Sequence, residues 1–220
     1  MNFTWSFSSL KEYVNCPRQY QELKVLKRYE KKATEQMLYG TAVHKACEDY
    51  VGQGIPLAKN YLRFKSALDA LIEIPGTKYP EHEMALTRDK EPCDFKDENR
   101  WVRGIADLLI IDDDNLTALV VDYKTGNNRY PDIDQLKLMS LMVFKHFPHI
   151  RRVKSALLFV VKNDMVKHSM ALDDADAEWW RYRERVARLE QCFDTGVWNP
   201  KSSALCPWCP VKSCEYNPKH

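Results

Sequence analysis

The sequence predicts an α/β (α+β) domain in which a mixed sheet is covered by helices. Three observations carry this. The first third of the chain has helical spacing of its apolar residues. The stretch from Glu81 to Lys124 breaks into short runs of β-branched and aliphatic residues. The remainder returns to a helix, a strand and a long helix. Helices, then a run of strands, then helix, strand and helix indicate a mixed sheet covered by helices.

The elements follow in order. "SFSSLKEYVNCPRQYQELKVLKRY" reads as helix, with Ser8 or Ser9 as its N-cap and a break at Pro17. "TEQMLYGTAVHKACEDYVGQG" places Met37, Val43, Ala46, Cys47 and Tyr50 near one helical face. "LAKNYLRFKSALDALIEI" is a further helix, ended by Pro75 and Gly76. "EHEMAL", "RWVRGIADLLIID" and "LTALVVDYK" are strands, the last two joined by the turn "DDDN". Pro131 is expected to open the helix "IDQLKLMSLMVFKHF". "RRVKSALLFVVKND" reads as a buried strand because its apolar run is almost continuous, and "DADAEWWRYRERVARLEQCF" as a long charged helix. Trp179 and Trp180 are adjacent on that helix, so only one can face a core, leaving the other to stack on a base or a partner.

A length of 220 residues suits one domain, here 1–220, with a helical part at 1–80, a core at 81–195 and a cysteine-rich tail at 196–220. A net charge of +2 excludes a strongly basic coat but leaves room for local basic patches such as "KVLKRYEKK". No run of about 18 apolar residues is present, so no membrane span is expected. The start "MNFTWSFSSLKEY" lacks the pattern of a secretory leader, and a cytoplasmic setting is the expectation. In that setting seven cysteines read as metal ligands or buried thiols.

Chemistry concentrates in three places. In "VVDYKTG", Asp122 and Lys124 are two apart on a strand and leave the same face. They can form a structural ion pair or a catalytic pair, and the two readings weigh equally on these residues alone. In "VRGIADLLI", Asp107 stands in an aliphatic run, costly unless paired or metal-bound. Two converging carboxylates suit Mg²⁺ or Mn²⁺, with Lys124 placed to orient a water or stabilise phosphate charge. His44 in "GTAVHKA" is of interest only if its helix packs over that edge. The third place is the tail "ALCPWCPVKSCEYN", whose Cys206, Cys209 and Cys214 form a ligand cluster one short of four.

In order, "GTAVH", "RGIAD", "DYKTG" and the helix bearing Gln135 resemble the RecB-type branch of the PD-(D/E)XK nuclease superfamily. The opening segment with "CPRQY" resembles that branch too, so the likeness runs from Ser6 to Cys214. It implies a restriction-endonuclease-like core with a mixed central sheet flanked by helices, and an N-/C-terminal cysteine cluster. By the resemblance, His44, Asp107, Asp122 and the carbonyl of Tyr123 hold a catalytic Mg²⁺ or Mn²⁺. Lys124 is the catalytic lysine and Gln135 positions DNA or that lysine. Glu83 matches a further acidic position, with Glu81 its close competitor. Iron–sulfur members of the branch, among them CRISPR-associated adaptation nucleases and AddB-type nucleases, imply a [4Fe–4S] cluster on Cys16, Cys206, Cys209 and Cys214. Zinc is the competing metal at those cysteines. Cys47, Cys93 and Cys192 read as ordinary thiols. Two departures stand out: Asp122 where many relatives have Glu, and Met139 where an aromatic often follows the helical Gln.

The function implied is a metal-dependent deoxyribonuclease, an exonuclease on single-stranded or otherwise free DNA ends. Its settings would be recombination, repair, phage replication or CRISPR adaptation, with proteins of those processes as partners. The alternative is a non-catalytic DNA-binding or assembly module that keeps the fold and a four-cysteine zinc site.

Overall fold

A computed structural model describes residues 3–218. The helices are α1 (Phe7–Asn15), α2 (Pro17–Tyr20), α3 (Glu35–Gln53), α4 (Lys65–Ile72), α5 (Asp134–His146) and α6 (Ala175–Thr195). The strands are β1 (Thr77–Thr87), β2 (Pro92–Cys93), β3 (Arg100–Asp112), β4 (Thr117–Lys124), β5 (Arg152–Phe159) and β6 (Asp164–Ala171). The chain divides into two compact units: residues 34–179, and residues 1–33 together with 180–220.

The first of these holds one six-stranded sheet in the order β2-β1-β3-β4-β5-β6. β4 and β5 run parallel and the other neighbours antiparallel, so the sheet is mixed, as the sequence predicts. The parallel pair needs a crossover, and α5 supplies it. Alternation along the strands then separates two faces. Leu108, Ile110, Val121, Tyr123 and Leu158 pack with Val43 and Cys47 of α3 and Leu68 and Leu71 of α4. Leu157 and Phe159 point the other way and pack with Leu136 of α5. Burying such side chains is worth about 1.5–3 kcal/mol each. α5 is buried continuously from Leu136 to Phe144, Lys137 and Ser140 included.

Two glycines allow this packing. Gly76, at φ 114°, turns the chain into β1, and a Cβ there would lie 2.4 Å from the carbonyl oxygen of Ile111. Gly104 lets α5 approach β3, where a Cβ would stand 2.7 Å from Met139 Sδ. Met139 therefore fills the space beside a glycine rather than reaching outward, and it is buried.

The second unit contains α1, α2, a π-helical turn at Gln21–Val25, most of α6 and the tail. Trp198 of the tail stacks on Tyr20 with centroids 5.9 Å apart and meets Tyr13 and Phe193 edge-on. Val211 is buried, and Asn217 Nδ2 donates to the carbonyls of Cys209 and Val211. The tail thus carries its own apolar anchor, which its proline-rich composition hides.

Several local expectations are corrected. Ser6, not Ser8 or Ser9, caps α1: its hydroxyl accepts from Ser9 N, and Ser9 bonds back to Ser6 N. α5 starts at Asp134, three residues after Pro131, because Asp132 Oδ1 accepts from Asp134 N and turns the chain in first. Met37 is 55% exposed and does not share the buried face of Val43 and Cys47. β6 has no counterpart in the sequence reading, since it is an edge strand with only Met170 buried.

Candidate active site and cysteine centre

β3 and β4 pair from Asp112↔Thr117 to Leu108↔Val121 and no further. Asp107 and Asp122 lie one residue beyond that last pair, where the strands part. Asp107 fills the opening: its Oδ2 accepts from the backbone N–H of Tyr123 at 2.6 Å. His44, from α3, places Nδ1 3.3 Å from the same oxygen. The imidazole meets the Tyr123 ring edge-on, with centroids 6.0 Å apart. β1 supplies the third group. Its register sets Pro80 against Leu108 and His82 against Ala106, so Glu81 falls opposite Asp107. One ligand atom each from His44, Glu81 and Asp107 lies within 4.8 Å of the others.

Asp122 and Lys124 point to the α5 side of the sheet. Lys124 Nζ is 2.6 Å from Asp122 Oδ2. Gln135, in the first turn of α5, donates from Nε2 to Asp122 Oδ1 and accepts from Lys124 Nζ at 3.1 Å. The amide holds acid and base in one closed triangle. The two helices therefore approach the parting strands from opposite faces, His44 from one side and Gln135 from the other.

The electrostatics are those of a place short of positive charge. Burial, then the nearby Asp107, pushes the Asp122 carboxyl up to about 6, against the pull of Lys124 and His44. Burial and Asp107 raise Glu81 as well. His44 is raised by its hydrogen bond to Asp107. Crowded carboxylates that resist ionisation favour a bound cation. Two carboxylates and an imidazole suit a hard to borderline divalent ion, so the donor set fits magnesium or manganese.

The sequence-predicted residues sort clearly. His44 and Asp107 converge, and Asp122, Lys124 and Gln135 form the triangle beside them. Tyr123 is buried and contributes its N–H to Asp107. Glu83 is exposed on β1, whereas Glu81 is the β1 acid that lies with His44 and Asp107. Alternation alone treats residues 81 and 83 as equals; the register of β1 on β3, which no local pattern encodes, decides between them.

In the second unit Cys16, Cys206, Cys209 and Cys214 line one small cavity. Cys16 ends α1, and the other three come from the tail. The sulfurs receive hydrogen bonds from Gln19 Nε2 (to Cys209, 3.2 Å), Lys201 N (to Cys16, 3.4 Å) and Ser203 N (to Cys206, 3.3 Å). The remaining cysteines lie elsewhere: Cys47 is buried in the α3 core, which pushes its thiol up to about 12, and Cys192 is hydrogen-bonded to Tyr13.

Basic residues near the N-terminus are largely ion-paired. Lys24 and Lys31 reach Glu12, while Arg18 and Arg28 reach the buried Glu22. Arg188 pairs with Glu184 along α6. Among the described residues no helix is long and apolar enough to cross a membrane.

Comparison with known proteins agrees with this geometry. No curated protein matches the chain significantly. Among solved structures, the chain is similar to one described as a "Putative exonuclease" from Eubacterium rectale. The TM-score is 0.57 at 14% identity, over 94% of this chain and 86% of that one. It also aligns with the structure of SSO0001, at TM-score 0.45 and 15% identity, over 96% of this chain and 85% of that one. The model of the PD-(D/E)XK nuclease superfamily matches residues 4–88 and 57–214. With a mixed sheet whose parting strands bring an Asp, an Asp-x-Lys pair and a helical His together, the chain belongs to the PD-(D/E)XK nuclease superfamily.

Proposed function

We propose that this protein is a divalent-metal-dependent deoxyribonuclease that acts on DNA ends and carries a structural iron–sulfur cluster. The observation that carries the activity is the juxtaposition of the His44–Glu81–Asp107 cluster with the Asp122–Lys124–Gln135 triangle. His44, Asp107, Asp122 and the Tyr123 carbonyl would hold the ion, with Glu81 beside them. When bound, a divalent ion supplies Lewis-acid polarisation of the phosphate and acidifies a water. Lys124 is held by two partners before substrate arrives. Its ammonium is therefore fixed where negative charge develops during hydrolysis, and no reorganisation is needed at the moment of reaction. Gln135 keeps that ammonium and the Asp122 carboxylate in register. Asp107 is oriented by the Tyr123 N–H, so both carboxylates are set by backbone or helix rather than by flexible loops.

The cysteine centre supports a structural reading. Its four thiols join α1 to the tail across nearly the whole sequence, and holding such distant segments together restricts the unfolded chain strongly. Four thiols around one cavity, with N–H groups donating to three of the sulfurs, fit a thiolate-bound group, and the resemblance to iron–sulfur nucleases favours the cluster over zinc. Iron and acid-labile sulfide in equal amounts in anaerobically purified protein are expected; stoichiometric zinc without iron would overturn the cluster. For the activity, digestion of end-labelled DNA is expected with Mn²⁺ or Mg²⁺ and not with EDTA. Intact DNA under all three conditions would overturn the nuclease.

A further inference from the structure

The loop between Lys124 and Gln135 carries a feature that hydrolysis does not need. Tyr130 is 87% exposed, the most exposed of the large hydrophobic side chains in the described residues. Its loop is nonetheless tied down. Lys162 Nζ donates to the side-chain oxygens of Asn127 (3.2 Å) and Asn128 (2.7 Å). Asn128 also bonds to Asp164, and Arg129 N donates to Asn127 Oδ1 at 2.9 Å. Arg129, Tyr130 and Pro131 are the exposed residues that follow. A fastened loop that presents a bare aromatic ring loses little entropy when something stacks on it.

Position makes the ring informative. Tyr130 is six residues after Lys124 and five before Gln135. An extended chain spans at most about 3.6 Å per residue, so the ring's backbone is within about 18 Å of Gln135. The opposite side of the site is also apolar. Met37 and Leu38 are 55% and 61% exposed at the start of α3, the helix that carries His44. The two sides meet at Gly40, where a Cβ would stand 3.4 Å from Thr125 Oγ1. Exposed rings and aliphatic groups suit nucleobases, which a duplex keeps inside its stack. Duplex binding rests instead on many phosphate contacts from Lys and Arg, and a net charge of +2 does not supply a broad basic surface.

We propose that Tyr130 is a base-stacking residue that selects unpaired DNA strands, its ring receiving the base of a nucleotide near the scissile phosphate. This rests on the nuclease reading and adds the residue by which an unpaired strand would be selected. The test measures binding of a labelled single strand, a blunt duplex and an RNA strand of the same sequence by fluorescence anisotropy. The proteins are Lys124→Ala alone and the same protein with Tyr130→Ala or Tyr130→Phe. One stacked base is worth about 1–3 kcal/mol, so Tyr130→Ala should weaken single-strand DNA binding about 5- to 150-fold. Phe should restore it, and duplex binding should change less than about twofold. Single-strand affinity unaltered by Tyr130→Ala would overturn the proposal, as would equal losses on strand and duplex or a preference for RNA. The nuclease reading has a separate readout, metal-dependent cleavage by the wild-type protein, so either can fail alone.

Discussion

Replacing Asp122 by Asn should make the metal-free protein more stable at neutral pH while ruining its chemistry. Asp122 is buried, shares its surroundings with Asp107, and has its carboxyl pushed from 3.8 up to about 6. A folded-state value above the unfolded one means that folding takes up a proton. The stability linked to that proton is fully present below pH 3.8 and is lost as pH rises through 6. Two or so pH units at 1.36 kcal/mol each give about 3 kcal/mol at pH 7.5. Asn keeps the shape and removes the charge. For a chain of 220 residues, 1 kcal/mol shifts Tm by about 2–4 °C, so the variant should melt roughly 6–12 °C higher at pH 7.5 in EDTA. At pH 4 the two proteins should melt together. Saturating Mn²⁺ should reverse the order, because a ligand stabilises only the protein that binds it. Thermal melts at the two pH values, with EDTA and with Mn²⁺, decide the matter. An Asn variant that melts lower at pH 7.5 in EDTA, or a difference that ignores pH, would refute the argument.

Two other outcomes follow. Glu81→Gln should weaken Mn²⁺ binding on the order of tenfold in calorimetric titration, whereas the exposed Glu83→Gln should leave it unchanged; the opposite ranking would move the acidic position back to residue 83. Cys16→Ser should lose bound iron and lower Tm before it lowers the rate per folded molecule. Full iron content in that variant would remove Cys16 from the ligand set.

The parts of this fold that could be read from sequence are those in which burial repeats with the period of the element. β3 runs from Arg100 to Asp112, the same bounds as the apolar run that predicts it. β4 and the helical His44 follow equally directly. β6 is not legible in the sequence because an edge strand pairs on one side only and exposes four of its eight residues, so its composition resembles a loop. The start of α5 departs from the expected Pro131 because an Asx turn at Asp132 overrides the usual preference for proline in a first turn. In the site, Asp122 and Lys124 stand out as polar residues at the end of an apolar strand, and Asp107 as an acid within an aliphatic run. The choice of Glu81 over Glu83 is not legible there, because it depends on pairing between strands some 25 residues apart. The cysteines were countable, but the joining of Cys16 to the tail came from resemblance and not from spacing.

The most direct measurement compares wild type with Lys124→Ala on one end-labelled DNA in Mn²⁺. Lys124 is held 2.6 Å from Asp122, and in the proposed function its ammonium meets the developing phosphate charge. Loss of one such interaction typically costs a hundredfold or more in rate, on the order of 3 kcal/mol. The account predicts progressive shortening by the wild-type protein, none with EDTA, and at least about a hundredfold slower shortening by Lys124→Ala, which should still bind the DNA and Mn²⁺. Cleavage that survives EDTA, or wild-type rates from Lys124→Ala, would contradict it.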